Sequence, residues 1–319
     1  MGDEWYCLRS VQNLLTNTDV RTRSIPFPNT DVHLVIHERD KLCSFIYAEI
    51  GEETMLIEPG DKLHINEVGP ICCRGELSFR ELDLIDERII ISEHKPCMEP
   101  VKGKLPFCDE HRNTFHARYM AAVMYGTKLS EDENRLAGPH MLYITFPPRK
   151  VGVTKQTRYL KRASEQPHAL FIPLAKFLSV NEAILLERKI RNEFKQWDIK
   201  DRLRSVRKWA YVRDSLRYSV NSTELNLLLA VKNYVHKQLK GENVRALYDH
   251  NIVDAYRVCV DMKVLKEARP QGVSSLRGTY VFLDFIAGFL LLMDIKRNRC
   301  IAVDWSEIID RKIKGVIKT

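Results

Sequence analysis

The 319-residue sequence has no long apolar run. Its longest, Phe285–Met293, is bordered by Asp284 and Asp294 and has about half the length that a membrane-spanning helix needs. The opening residues, MGDEWYCLRS, lack a basic region followed by a long apolar one, so no secretory signal is expected. Tyr6 stands where N-myristoylation needs Ser or Thr. No membrane association is therefore expected, and a cytoplasmic location is. Glycine and proline, at 14 and 13 residues, are not enriched, and no low-complexity tract or internal repeat is visible. A phosphate-binding P-loop, a G-x-G-x-x-G turn, a nucleophile elbow and an H-E-x-x-H helix are all missing. Their absence excludes the common signatures of nucleotide-binding, serine-hydrolase and zincin chemistry.

What is present is the composition of a soluble globular protein, 45% hydrophobic and 29% charged, with enough chain for two or three domains. Eight cysteines in an intracellular chain read as thiols or metal ligands before disulfides. Cys7 and Cys43 have no metal-ligand neighbours in sequence and read as ordinary buried thiols. The net charge is +8 and the pI about 9.0. The surplus is local: Arg188–Arg217 holds eleven Lys or Arg against four Asp or Glu, together with Trp197, Trp209 and Tyr211. Cations interleaved with aromatics suit phosphate contact plus base stacking. The plainer alternative is a solvated helix surface with its tryptophans in the core.

The segments PICCRG, HKPCMEP and FCDEHR hold the metal-binding pattern. Cys108-x-x-His111 lies at the expected start of a helix over Asp109–Tyr125. Two ligands on a first helical turn after a proline-bounded loop fit a treble-clef zinc site, with Cys73 and Cys97 supplying the other two. A helix N-terminus there favours thiolate at Cys108. The role would be structural, because four protein ligands leave no open position. No clean Cys-x-x-Cys knuckle exists, and Cys72, His94 and His116 are rival ligands. Buried cysteines beside a surface histidine are the alternative.

Residues 139–198 read as strand (Leu142–Phe146), Pro-Pro turn, strand (Val151–Thr154), helix (Thr157–Gln166), strand (Ala169–Ala175) and helix (Asn181–Phe194). At helical spacing Ala183, Ile190 and Phe194 form one stripe, flanked by Leu186. Glu187 falls on the stripe's other edge. A carboxylate so placed needs an ion pair, hydrogen bonds or a metal. Arg158 and Arg162, four apart on the preceding helix, share a face and would meet it.

The order LYIT, KVGVT, Arg158 and Arg162, then EAILLE, resembles the compact GIY-YIG nuclease core. More closely, KVGVTKQTRYLKRASEQ, KDRLRSVRKW and LRGTY resemble the prokaryotic family known as domain of unknown function 2797, over roughly residues 70 to 305. That family's early Cys-x-Gly and later Pro-Cys match Cys73-Arg74-Gly75 and Pro96-Cys97. The resemblance implies a site of Tyr143, Arg162 or Arg158, and Glu187, which in an active enzyme would hold Mg²⁺. The second strand departs from the nuclease pattern: Val151 stands where a tyrosine helps to activate water, so cleavage is expected to be lost.

Elsewhere, residues 31–69 read as a small antiparallel sheet after a polar, turn-rich start. Ser222–Lys240 reads as an amphipathic helix, Val244–Lys266 as a second helix, and Ser274–Trp305 as a β-meander with turns at Ala287-Gly288 and Lys296–Arg299. Asp294 and Asp304 are expected to face solvent, and the basic tail to fray or to cap the sheet. The resulting expectation is an α+β protein in four consecutive segments. These are an N-terminal β region (1–69), a treble-clef-like zinc module (70–137), a GIY-YIG-like small sheet with flanking helices and a basic extension (138–217), and a C-terminal helix plus β-meander (218–319). It would bind RNA or DNA through Lys155, Arg188, Arg191, Lys195, Arg202, Arg204, Arg207 and Lys208. The alternatives are an active Mg²⁺-dependent endonuclease, and a non-enzymatic scaffold for a protein or ribosomal partner.

Overall fold

A computed structural model of the chain describes residues 4–15, 20–51, 53–84, 87–103, 105–146, 149–165, 169–177, 179–195, 209–210, 221–239, 244–246, 251–260 and 266–318. The protein is mixed α+β, mostly strand. In chain order the strands are β1 Glu4–Leu15, β2 Arg21–Pro26, β3 His33–Ile50, β4 Glu53–Ile57, β5 Lys62–Ile71, β6 Glu76–Leu84 and β7 Glu87–Lys95. Helices α1 Phe115–Tyr125 and α2 Glu131–Ala137 follow, then β8 His140–Phe146, β9 Lys150–Lys155, α3 Tyr159–Ser164, β10 Leu170–Phe177 and α4 Val180–Glu193. After α5 Ser222–Gln238 come β11 Val244–Ala246, β12 Ile252–Cys259, β13 Arg269–Pro270, β14 Gly278–Ile286, β15 Phe289–Asp294 and β16 Arg299–Asp304, then α6 Trp305–Ile308 and β17 Arg311–Lys318.

Packing follows a different division from the four consecutive segments. One unit gathers residues 1–14, 43–136 and 263–319, and the other residues 15–42 and 137–262.

In the first unit β5 lies between β14 and β17, antiparallel to both, and β17 lies between β5 and β1. The β14–β15–β16 meander forms as the sequence indicates. Its first turn is sharp because Ala287 and Gly288 both take positive φ, 54° and 81°, which the right-handed twist of a two-residue hairpin demands. Tyr6, Ile46, Leu63, Tyr280, Phe282, Leu292 and Ile313 share one buried core. The basic tail is a full strand inside the sheet, because Ile313 alternates inward between lysines that point away.

In the second unit β12 runs parallel to residues 33–40 of β3. It is followed across the sheet by β10, β8 and β9, all antiparallel neighbours. On one face Leu34, Ile36, Val253, Ile172, Leu142, Ile144 and Val151 pack against Ala183, Leu186 and Ile190 of α4 and Leu225, Leu228, Val231 and Val235 of α5. On the other, Met141, Tyr143, Phe171 and Val258 meet Ala163 and Tyr159 of α3. Both faces being covered explains why β8 is buried at every position and carries a nearly unbroken apolar run. A capping box starts α5: the Asn221 side chain accepts from Glu224 N–H, and the Glu224 side chain accepts from Asn221 N–H.

Several expectations change. The polar N-terminal stretch forms β1 and β2 ahead of its turn. Val244–Lys266, expected as a helix, contains β11 and β12. Helix α1 begins at Phe115 rather than Asp109, capped by the Thr114 hydroxyl. Asp294 and Asp304 are buried, not solvent-facing. Asp294 pairs with Arg297 at 2.9 Å, and the Asp304 side chain accepts from Ser306 N–H at the start of α6. Most of the basic stretch, 196–208 and 211–217, lies outside the described residues, and with it Arg202, Arg204, Arg207 and Lys208.

Candidate metal centre

The chain leaves β5 at Ile71, and Cys72 and Cys73 follow at once. Cys73 N–H donates to the Glu99 carbonyl at 2.8 Å, and Arg74 N–H to that of Pro106 at 2.8 Å. Gly75 then takes a φ of +72°, and a Cβ there would lie 2.0 Å from the Lys95 carbonyl oxygen. Only glycine allows this approach. It draws the Cys73 turn against Pro96-Cys97, which is the physical content of the Cys-x-Gly and Pro-Cys pair.

The other two donors come from the turns before α1. His111 N–H and Arg112 N–H both donate to the Cys108 carbonyl, at 3.1 and 2.9 Å. This single turn brings Cys108 Sγ within 3.1 Å of His111 Nδ1, which also lies 3.5 Å from Cys73 Sγ. The donor atoms of Cys73, Cys97, Cys108 and His111 all lie within 4.8 Å of one another. A tetrahedron of ~2.3 Å metal–sulfur bonds has edges of about 3.8 Å, which lies between the shortest of these separations, 3.1 Å, and their 4.8 Å limit. The structure thus brings together the four residues that the spacing suggested. Of the rivals, Cys72 turns to Cys7. His116 lies edge-on to Phe107, with ring centroids 5.1 Å apart, and lines a cavity of about 420 Å³ with Arg9, Tyr47, Glu49, Arg74 and Asp310. The side chain of His94 lies outside the described residues.

The three thiols differ in how readily they ionise. Burial pushes the Cys73 thiol up to about 12, although Cys108 and Gly75 N–H groups donate to its sulfur. Burial also raises Cys97. Burial opposes ionisation at Cys108 too, but hydrogen bonds from the His111 side chain and backbone outweigh it and bring the thiol down to about 7. Cys108 thus gives up its proton more readily than Cys73 or Cys97, and a divalent ion bound here would displace the protons of all three. The apolar support is small: buried Cys73, Phe107 and Ala117, with Val101, Leu105 and Met120 around them. So small a core would leave much of the work of holding these loops together to an ion bound in the cluster.

Sequence reasoning missed the support behind the ligands. Arg9 of β1 donates to the main-chain carbonyls of Cys73 and Cys97 at 2.9 and 2.8 Å. It also pairs with Glu49 at 2.5 Å and Asp310 at 3.2 Å, and Arg74 Nε reaches Asp310 at 2.7 Å. Nothing near Arg9 in sequence signals this role.

The residues expected to form a nuclease site lie in the second unit. Tyr143 is buried on β8, its ring stacked on Phe171 at 4.4 Å between centroids. Burial raises its phenol, and Arg162, Glu165, Glu187 and Arg191 are near enough to act on it electrostatically. Arg162 and Glu187 are each engaged by a neighbour on their own helix or its end. Arg162 pairs with Glu165. Glu187 pairs with Arg191 at 2.7 Å, and Arg191 also donates to the Val151 carbonyl at 3.2 Å. The partners of Glu187 are therefore on its own helix, not on α3. Burial raises the Glu187 carboxyl against the pull of Arg191, Lys150 and Arg188. Arg158, Arg188 and Lys195 are exposed, and Lys155 is half-buried. Burial and the charge of Arg158 lower the ammonium groups of both Lys155 and Lys161.

Fold and site together define a mixed α+β protein with a Cys3His cluster able to hold a metal ion. Compared with protein-family models, curated proteins and solved structures, the chain matches none of them. Among the described residues no helix is long and apolar enough to cross a membrane.

Proposed function

We propose that this protein binds nucleic acid through a GIY-YIG-like core and its basic extension, that the metal is zinc in a structural role, and that the core no longer cleaves. The observation that carries the non-catalytic part is the engagement of Glu187. Its carboxylate is taken by Arg191, whose guanidinium also caps Val151, the position where the nucleases place a tyrosine. A Mg²⁺ ligand would have to give up that ion pair. The Tyr143 ring is clamped between Phe171 and Gly152, away from solvent.

Binding is carried by cations around that region. Arg158 and Lys155 follow β9, and Arg188, Lys195 and the strongly basic residues beyond follow from α4. Burial, and after it the charge of Arg158, lowers Lys155 and Lys161, and a phosphate anion would relieve the repulsive part. Three thiols and one imidazole are the donor set that zinc takes in closed structural sites.

Filter binding to labelled RNA and DNA across a salt series tests this reading. The expected result is a steep loss of affinity with rising salt, equal in wild type and Glu187→Gln, with no cleavage in Mg²⁺. A flat salt response overturns the binding part. Cleavage by wild type that Glu187→Gln abolishes overturns the loss of catalysis.

A further inference from the structure

Cys7 and Cys72 are 65 positions apart in sequence, yet their Sγ atoms lie 2.7 Å apart. Neither side chain has any exposed surface. Their approach is set by the backbone. Cys7 sits opposite Lys312 of β17, and Ile71, the residue before Cys72, sits opposite Arg311. Between them the main chain of Asp310 binds both segments: its carbonyl accepts from Cys72 N–H at 2.6 Å, and its N–H donates to Leu8 at 2.9 Å.

The pair is not a fragment of a metal site. The metal-capable group among the described residues is Cys73, Cys97, Cys108 and His111, and it contains neither sulfur. Two sulfurs at 2.7 Å leave no space for an ion with ~2.3 Å bonds to each. The chemistry open to these two thiols is with one another.

We propose that Cys7 and Cys72 are a redox pair that closes to a disulfide on reaction with a peroxide, next to the metal centre but separate from it. One sulfur, as thiolate, attacks an oxygen of hydrogen peroxide. The O–O bond breaks, a sulfenic acid forms, and the departing hydroxide leaves as water with the proton that the thiol released. The second thiol's sulfur then attacks the sulfenic sulfur; the S–O bond breaks and a second water departs. Two thiols give up two electrons, one peroxide becomes two waters, and a dithiol reductant reverses the change. Local opening of the sheet admits the oxidant, and closure restores the sulfur contact that favours the intramolecular step.

The bond would fasten β1 to the residue preceding ligand Cys73. Arg9, two positions after Cys7, already makes the same connection through hydrogen bonds to the Cys73 and Cys97 carbonyls. Oxidation would make that connection covalent and slow the release of the ion to a chelator.

The test uses the full chain loaded with zinc. It is treated with hydrogen peroxide, alkylated with N-ethylmaleimide, denatured, alkylated again and mapped by mass spectrometry. The expected product is about 2 Da lighter before alkylation, from loss of two hydrogens. It yields one linked peptide pair carrying Cys7 and Cys72, while Cys43, Cys259 and Cys300 are recovered alkylated. Cys7→Ser should abolish the link and leave Cys72 open to a sulfenic-acid trap. Recovery of Cys7 and Cys72 as thiols, at peroxide levels that oxidise other cysteines, overturns the proposal. So does a link from Cys72 to a metal ligand. The wild-type map stands without the variant, so misfolding of Cys7→Ser leaves the result decisive.

Discussion

The guanidinium of Arg9 donates to the main-chain carbonyl of Cys73 at 2.9 Å, and the same nitrogen reaches the Cys97 carbonyl at 2.8 Å. One side chain on β1 therefore fixes the backbone of two cysteines of the Cys3His cluster that lie 24 positions apart in the numbering. Glu49 and Asp310 pair with it, each almost without exposed surface.

Replacing Arg9 by Ala removes the cation 2.5 Å from buried Glu49 and one of the two on Asp310, which keeps Arg74 at 2.7 Å. Removing one partner of such a pair costs about 3–5 kcal/mol. The loss of support should also weaken metal binding by roughly 10–100-fold. Urea unfolding and competition against a chromogenic chelator measure the two effects. An unchanged metal affinity would mean that the carbonyl contacts do not position the ligands.

Metal content by atomic emission should be one ion per chain for wild type and for Cys43→Ser, whose cysteine is not in the cluster. Cys73→Ser, Cys108→Ser and His111→Ala should each bind well below one. Full occupancy in the His111 variant would transfer the fourth position to another donor.

His140 gives a pH dependence whose sign follows from its burial. It is fully buried on β8, and its Nδ1 lies 2.8 Å from the Gly138 carbonyl. Burial lowers the imidazole, the Gly138 hydrogen bond opposes this, and Lys155 across the ladder adds to the lowering; the result is about 4. The folded group thus binds its proton less readily than the unfolded one. Its contribution is fully present above the unfolded value of about 6.5 and is lost as pH falls from there towards 4, by about 3 kcal/mol in total. The difference in unfolding free energy between wild type and His140→Gln should shrink over that window. A difference that grows as pH falls would contradict the assignment.

Gly152 faces Tyr143 across the β8–β9 ladder. A Cβ there would lie 2.6 Å from the Tyr143 Cζ and hydroxyl oxygen, and the ring has no room to retreat from its stack on Phe171. Gly152→Ala should cost about 1–3 kcal/mol. In a Tyr143→Leu background, where the side chain stops short of the clash, the penalty should largely vanish. Equal penalties in both backgrounds would show that the ring is not the obstacle.

The parts legible in the sequence are those fixed within a few residues. Cys108 and His111 meet because one turn joins positions three apart, and β14–β16 follow their alternating apolar runs and the Ala287-Gly288 turn. Helices α4 and α5 follow their apolar stripes. The buried aspartates were not legible, since a local hydrogen bond such as that of Asp304 to Ser306 N–H removes the cost of burial without changing the hydropathy pattern. The helix expected over 244–266 failed for a different reason. Residues 252–259 find parallel partners in β3, as with Arg257 opposite Glu38, 219 positions earlier, and pairing at that range overrides local propensity.

By itself the sequence determined which residues can hold an ion and where the short-range elements run, because both depend on chemistry and spacing along the chain. Tertiary structure alone decided which cysteines join His111 and which turns to Cys7. It placed Arg9 behind the ligands, gave Glu187 to Arg191 rather than to Arg158 or Arg162, and made a strand of the basic tail. Each of these rests on contacts between segments distant in sequence or on how a side chain is oriented by its packed surroundings. Spacing along the chain carries no information about either.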